Sequence, residues 1–165
     1  MTDKMAVVSF KVEGRAKGGS FMEKNERILV PLDGSRCAET VIPRVEELIA
    51  GKEKGICLLR VVSAPTFPGV DPTEAQVKVV REAEEYLKGL ESHLKAKGLD
   101  VDARVRYGND AEEILDHAAQ KDIDLIAMST HGRSGVKRFF LGSVAEKVLR
   151  HASKPVYLVR CTGSA

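Results

Sequence analysis

Tryptophan is absent, and aromatic residues make up 5% of the chain. With so little to stack against, and no stripe in which aromatic and basic residues interleave, a nucleic-acid-binding surface is not expected. The charge balance agrees, because 26 Lys and Arg residues are interspersed with 24 Asp and Glu for a net charge of +2. Cysteine is scarce as well. Cys37, Cys57 and Cys161 are odd in number and far apart, which fits neither a disulfide framework nor a zinc knuckle and leads to an expectation of reduced, mostly packed thiols. No apolar run approaches the roughly 18 residues that span a bilayer, and the N-terminus lacks the apolar stretch of a secretory signal. A cytoplasmic chain with no membrane contact is therefore expected. Two further absences concern catalysis: there is no G-x-x-x-x-G-K-S/T and no G-x-S-x-G, which excludes a P-loop ATPase engine and a nucleophile-elbow hydrolase at the level of motifs.

What is present is the material of one α/β domain. The 165 residues, 43% hydrophobic and 30% charged, suit a single full core. Apolar runs at Arg27–Leu32, Gly55–Val62 and Ile123–Met128 read as strands buried on both faces. Val101, Ala103 and Val105 alternate with Asp102, Arg104 and Arg106, as on a strand nearer an edge, and Pro155–Arg160 reads as a fifth strand. Helical spacing fills the gaps. Cys37, Val41, Val45, Leu48 and Ile49 follow an N-cap at Ser35, with Pro43 expected to kink that helix. Val80, Ala83, Leu87, Leu90 and Leu94 stripe a helix from Thr73 to Lys97. Gly108-Asn109-Asp110 with Glu113, and Ser143 with Glu146, read as capping boxes that open two more helices. His93, His117 and His151 fall on helices without metal-ligand spacing and are expected to be solvated. Five strands alternating with four helices imply a parallel sheet with right-handed crossovers.

Residues 1–24 stand apart from this pattern. Val8, Phe10 and Val12 alternate with Ser9, Lys11 and Glu13 like a half-buried strand, and Gly14–Ser20 reads as flexible. The expectation is an appendage over residues 1–24 (an edge strand, a leader or an upstream start) on a domain of residues 25–165.

The densest chemistry lies between Met128 and Ser143. Gly132, Gly135 and Gly142, the polar side chains of Ser129, Thr130, His131 and Ser134, and the cations Arg133, Lys137 and Arg138 fall between an apolar strand and an amphipathic helix. Glycines let backbone N–H groups approach an anion closely, and a following helix adds unpaired N–H groups and the positive end of its dipole. A phosphate ester is the ligand this chemistry suits.

The pattern Ser129-x2-Gly132-x9-Gly142-Ser143 resembles the universal stress protein signature Gly-x2-Gly-x9-Gly-Ser/Thr, with Ser129 at the first glycine. Val30-Pro31-Leu32-Asp33-Gly34-Ser35 is its second anchor, and the resemblance spans about Arg27 to Arg160. It implies a Rossmann-like, adenine nucleotide alpha hydrolase-like fold: a five-stranded parallel sheet in the order 3-2-1-4-5, flanked by helices. That order sets strands one and four side by side at a switch point. The resemblance also implies a site for ATP, or AMP or ADP, built from Pro31, Leu32 and Asp33, from Val61 through its backbone, from Met128, Ser129, His131, Gly132 and Arg133, and from Gly142, Ser143, Val144 and Ala145. A divalent cation such as Mg2+ bridging Asp33 and phosphate oxygens would remove the repulsion between carboxylate and phosphate. The function implied is a nucleotide-dependent stress-response or signalling module. Two alternatives stand beside it: a nucleotide-free stress protein that works through protein partners, and a slow ATP hydrolase in which His131 serves Ser143 or Ser35 with Asp33 as orienting acid. A homodimer through the terminal strand Pro155–Arg160 is expected, because its apolar run carries no charge or proline to discourage edge pairing. The competing expectation is that the Val8–Val12 strand covers this edge within one chain.

Overall fold

Ile28, Leu29 and Val30 expose 1% of their surface or less, and the strand they form is the centre of the molecule. The structure, a computed structural model, describes residues 8–10, 27–52, 54–64, 71–120, 122–131 and 141–161. In chain order its elements are β1 (Val8–Phe10), β2 (Arg27–Pro31), α1 (Arg36–Glu39), α2 (Val41–Ile49), β3 (Gly55–Val62), α3 (Thr73–Ala96), β4 (Asp100–Tyr107), α4 (Asp110–Ala118), β5 (Ile123–Ser129), α5 (Ser143–His151) and β6 (Val156–Val159). The strands lie in the order β1-β6-β5-β2-β3-β4. All neighbours from β6 to β4 are parallel, so strands β2 to β6 reproduce the expected 3-2-1-4-5.

Alternate residues of the central strands serve opposite faces, as the two-residue strand period requires. Ile28, Val30, Ile56 and Leu58 pack with Val41, Val45 and Ile49 of α2 and Leu87 and Leu94 of α3. Leu29, Cys57, Leu59 and Ile126 pack with Ala111 and Ile114 of α4 and Ala145 and Val148 of α5. Helices therefore cover both faces, which is why these strands read as continuous apolar runs.

Several local expectations are corrected. The first helix breaks at Thr40, between α1 and α2, rather than at Pro43. The ring of Pro43 would clash with the carbonyl four residues back, at Glu39, so the break falls upstream. Pro43 then sits in the first turn of α2, where a missing N–H costs no intrahelical bond. Asn109 caps α4 through the Glu112 N–H, and Glu113 pairs with Arg106 at 2.9 Å rather than completing a capping box. His117 is buried, not solvated, and its Nε2 lies 3.4 Å from Cys57 Sγ. Burial, and then the charge of Arg106, hold its pKa below the usual histidine value. Cys37 and Cys161 are not reduced thiols but a disulfide, whereas Cys57 is free and buried.

The edge expected to carry a homodimer is occupied from within the chain. Val8, Ser9 and Phe10 of β1 pair antiparallel with Leu158, Tyr157 and Val156 of β6. A second copy cannot pair at Pro155–Arg160 while β1 is docked there.

Full-length protein should be monomeric at micromolar concentration by light scattering, and deletion of residues 1–21 should raise self-association by uncovering β6; a truncated chain that stays monomeric sinks the edge-capping argument. His117 takes up a proton less readily when folded than when unfolded. Its contribution to stability is thus complete above the unfolded value near 6.5 and is lost as pH falls below it. The drop in Tm between pH 7 and pH 5 should be smaller in His117→Gln than in the parent; equal drops would remove His117 from the acid response.

Candidate functional site

Three strand ends and one helix start enclose the site. Beyond β2 the sheet bonding continues for one residue, with Leu32 N–H donating to the Leu59 carbonyl at 2.8 Å, and the chain then turns at Gly34, whose φ is +81°. Only glycine adopts that conformation without strain, and a Cβ there would also strike the Arg60 guanidinium. The turn is tied by Asp33, whose Oδ1 accepts from the Ser35 N–H at 2.9 Å and the Ser35 hydroxyl at 2.6 Å. Ser35 Oγ in turn accepts from Ala38 N–H at 3.1 Å. The expected N-cap is therefore formed, and a carboxylate is fixed at the mouth of the crevice.

The second wall is the corner after β5. Thr130 N–H donates to the Val159 carbonyl at 2.9 Å, and the Thr130 carbonyl accepts from Gly142 N–H at 2.8 Å. Gly142 has ordinary extended dihedrals, so a positive φ does not explain it. A Cβ would stand 3.1 Å from the Thr130 carbonyl oxygen, and this close approach is what favours glycine. The buried Ser129 hydroxyl donates to the His131 carbonyl and is thereby directed at its own chain rather than at a ligand. His131 Nδ1 meets Thr130 Oγ1 at 2.9 Å.

The α5 start corrects the capping-box reading. Gly142 is the N-cap and provides no side-chain cap, Ser143 is the first helical residue, and Glu146 pairs with Arg150. Ser143 thus has no capping duty to explain it. Its N–H and those of Val144 and Ala145 belong to the first turn, where intrahelical acceptors are lacking and the helix dipole is positive.

β3 and α3 complete the crevice with residues that the sequence reading did not single out. Arg60 lies with its guanidinium carbon 5.2 Å from the centre of the Tyr86 ring, and the Tyr86 hydroxyl donates to Glu39 Oε1 at 2.8 Å. Burial, and then the Glu39 carboxylate, push the phenol well above its usual range, so it stays a neutral donor. A lone arginine inside the apolar run Gly55–Val62 was the signal available for Arg60. Tyr86 carried a weaker one, as a hydroxyl beside the apolar stripe of α3.

The enclosed volume is about 620 Å³, within the range of about 300–1,000 Å³ usual for small-molecule sites. Pro31, Leu32, Asp33, Val61, Met128, Ser129, His131, Gly142, Ser143, Val144 and Ala145 all line it. Gly132 and Arg133 lie outside the described residues, as does the rest of 132–140. Of the two serines considered for a relay with His131, Ser35 bonds directly to Asp33 with no imidazole between them. Among the described residues no cluster of three or more His, Cys, Asp or Glu side chains could hold a metal, and no helix is long and apolar enough to cross a membrane.

A parallel sheet in this order, with a crevice at the switch point between β2 and β5, defines a Rossmann-like protein of the adenine nucleotide alpha hydrolase-like fold. The model of the universal stress protein family matches residues 24–160, and the chain belongs to that family. A universal stress protein of Methanothermobacter thermautotrophicus is 33% identical over 146 residues, which is 84% of this chain and 98% of that one. The solved structure of MJ0577 of Methanocaldococcus jannaschii aligns with a TM-score of 0.72 at 28% identity, covering 86% of this chain and 100% of that chain. A family member from Arabidopsis thaliana, solved with AMP bound, shares the fold at a TM-score of 0.61 and 14% identity, over 84% of this chain and 93% of that one.

Because Ser143 caps nothing, Ser143→Ala should leave thermal stability within about 0.5 kcal/mol, whereas loss of a true cap costs typically about 1 kcal/mol. Denaturant unfolding of the two proteins decides it, and a loss near the larger figure would restore the capping role.

Proposed function

We propose that this protein binds an adenine nucleotide, ATP or its mono- or diphosphate, in the crevice between β2 and β5 and acts as a nucleotide-dependent module of the stress response in the cytoplasm. The observation that carries the reading is the α5 start. Gly142 N–H is held 2.8 Å from the Thr130 carbonyl oxygen, and behind it Ser143, Val144 and Ala145, the first turn of a helix with no side-chain cap, line the crevice. Such a helix start is a phosphate site by its own chemistry. The apolar part of the crevice, with Val61, Leu59 and Ile114, suits a base, and the AMP-bound relative holds its ligand on the same fold. Gly132 and Arg133 join the reading through the sequence motif.

Asp33 is suited to one task with a nucleotide. One carboxylate suffices for Mg2+, which is commonly held by one or two protein oxygens together with phosphate oxygens and water. Bound there, the cation would neutralise charge between carboxylate and phosphate. The Ser35 hydroxyl and N–H fix the orientation of that carboxylate through Oδ1.

A homodimer on Pro155–Arg160 is proposed for the chain whose β1 has left β6. Action through protein partners without nucleotide is the second reading, favoured by Ser129, whose hydroxyl turns inward to His131.

Mass spectrometry of small molecules released from gently purified protein should find an adenine nucleotide, and calorimetric titration should give ATP binding that Gly142→Val weakens by at least tenfold, at a stability cost of about 1–3 kcal/mol for the crowded Cβ. No released nucleotide and no ATP binding by the parent protein would leave the partner-only reading in its place. Equal affinity in parent and variant would instead remove the α5 start as the phosphate contact.

A further inference from the structure

Cys37 and Cys161 are 124 residues apart in sequence and form a disulfide with Cα atoms 5.4 Å apart, inside the usual range for such a bridge. Cys37 belongs to α1, which follows the Asp33 turn, and Cys161 follows β6; both are half-buried rather than sealed in the core. The bridge is fastened to the corner of the crevice. Cys37 Sγ lies 3.2 Å from the His131 carbonyl oxygen, and Cys161 N–H reaches Thr130 Oγ1 at 3.5 Å. Thr130 and His131 both line the crevice, and the Thr130 carbonyl anchors Gly142. The remaining thiol offers a contrast. Cys57 is fully inside, and burial followed by the Asp102 charge pushes it up to about 12, so it is inert at neutral pH.

We infer that Cys37 and Cys161 are a reversible thiol–disulfide site that sets the rigidity of the Thr130–His131 corner and, through it, the affinity of the crevice for its ligand. The second part rests on the nucleotide reading. The oxidant is a low-molecular-weight disulfide. One cysteine thiolate attacks it, forming a mixed disulfide and releasing one small thiol; the other cysteine then attacks the protein sulfur, closing the bridge and releasing the second small thiol. Two electrons and two protons pass from the protein to the two small thiols. In the bridged form α1 is tied covalently to the end of β6. In the reduced form that tie is lost, and the Cys37 S–H becomes a weak donor to the His131 carbonyl, which Ser129 already serves. Ordering the corner in advance lowers the cost of ordering it on binding, so the bridged form binds more tightly. Coupling is reciprocal, so bound nucleotide resists reduction of the bridge by the same factor.

The test uses full-length protein equilibrated with oxidised or reduced glutathione. After oxidation, alkylation and peptide mass spectrometry should find the Cys37–Cys161 cross-link with Cys57 as a free thiol; free Cys37 and Cys161 under all ratios overturn the site. Titration with Mg-ATP should give about tenfold weaker binding for reduced protein and for Cys161→Ser than for oxidised protein. Saturating Mg-ATP should lower the reduction potential of the bridge by about 30 mV, the equivalent of tenfold for a two-electron couple. Amide exchange at Thr130, His131 and Gly142 without ligand should be slower in oxidised protein. Unchanged exchange with unchanged affinity overturns the inference. Redox-dependent exchange in a protein that binds no ATP in either form supports the thiol site and overturns the nucleotide reading instead.

Discussion

The parallel pairing of β2 with β5 is the constraint on which the rest of the molecule depends. Both faces of β2 are covered, so its backbone groups have no access to water and must be satisfied by neighbouring strands; β3 and β5 supply the partners on either side. Parallel direction brings the C-terminal ends of all three strands to one rim. From that rim the chain leaves β2 toward helices on one face of the sheet and leaves β5 toward α5 on the other. The two departures diverge, and the crevice is the space between them.

Rigid corners give that space its chemistry. Asp33, Ser35 and Ala38 form one hydrogen-bonded chain, and Ser129, Thr130, His131 and Gly142 form another. The serine at the first glycine of the family motif acts within the second chain, where its hydroxyl adds an internal bond to the corner instead of a donor for a ligand. Arg60, Tyr86 and Glu39 oppose these corners with a cation held over an aromatic ring and a phenol kept neutral. Fixed charge and oriented donors thus share the cleft with apolar residues such as Leu59, Val61 and Ile114, the usual composition of a site that orients a polar ligand while burying its flat part.

The two sheet edges are treated differently. β4 carries the charged residues Asp102, Arg104 and Arg106 among its apolar ones, with Arg104 exposed, an edge strand that resists pairing. β6 is almost wholly apolar and is covered by β1 from the same chain. The N-terminal segment is thereby linked to the question of assembly, because the backbone groups that β1 satisfies are those a second copy would use.

Sequence alone determined the elements whose signals are local. Apolar runs of strand length, helical stripes, the Ser35 cap and the glycine spacing at Gly142 depend on neighbours a few residues away, and the family resemblance added strand order and the convergence of Asp33 with Ser129. Tertiary structure decided whatever depends on partners distant in the chain. That Ser143 is not a cap, that His117 is buried against Cys57, that Cys37 meets Cys161, and that Arg60 reaches over Tyr86 each involve contacts no local pattern encodes. The same holds for β1: alternation at Val8 and Phe10 announces a strand, but a strand has two hydrogen-bonding edges and no preference of its own, so only the uncovered side of β6 determines where it docks.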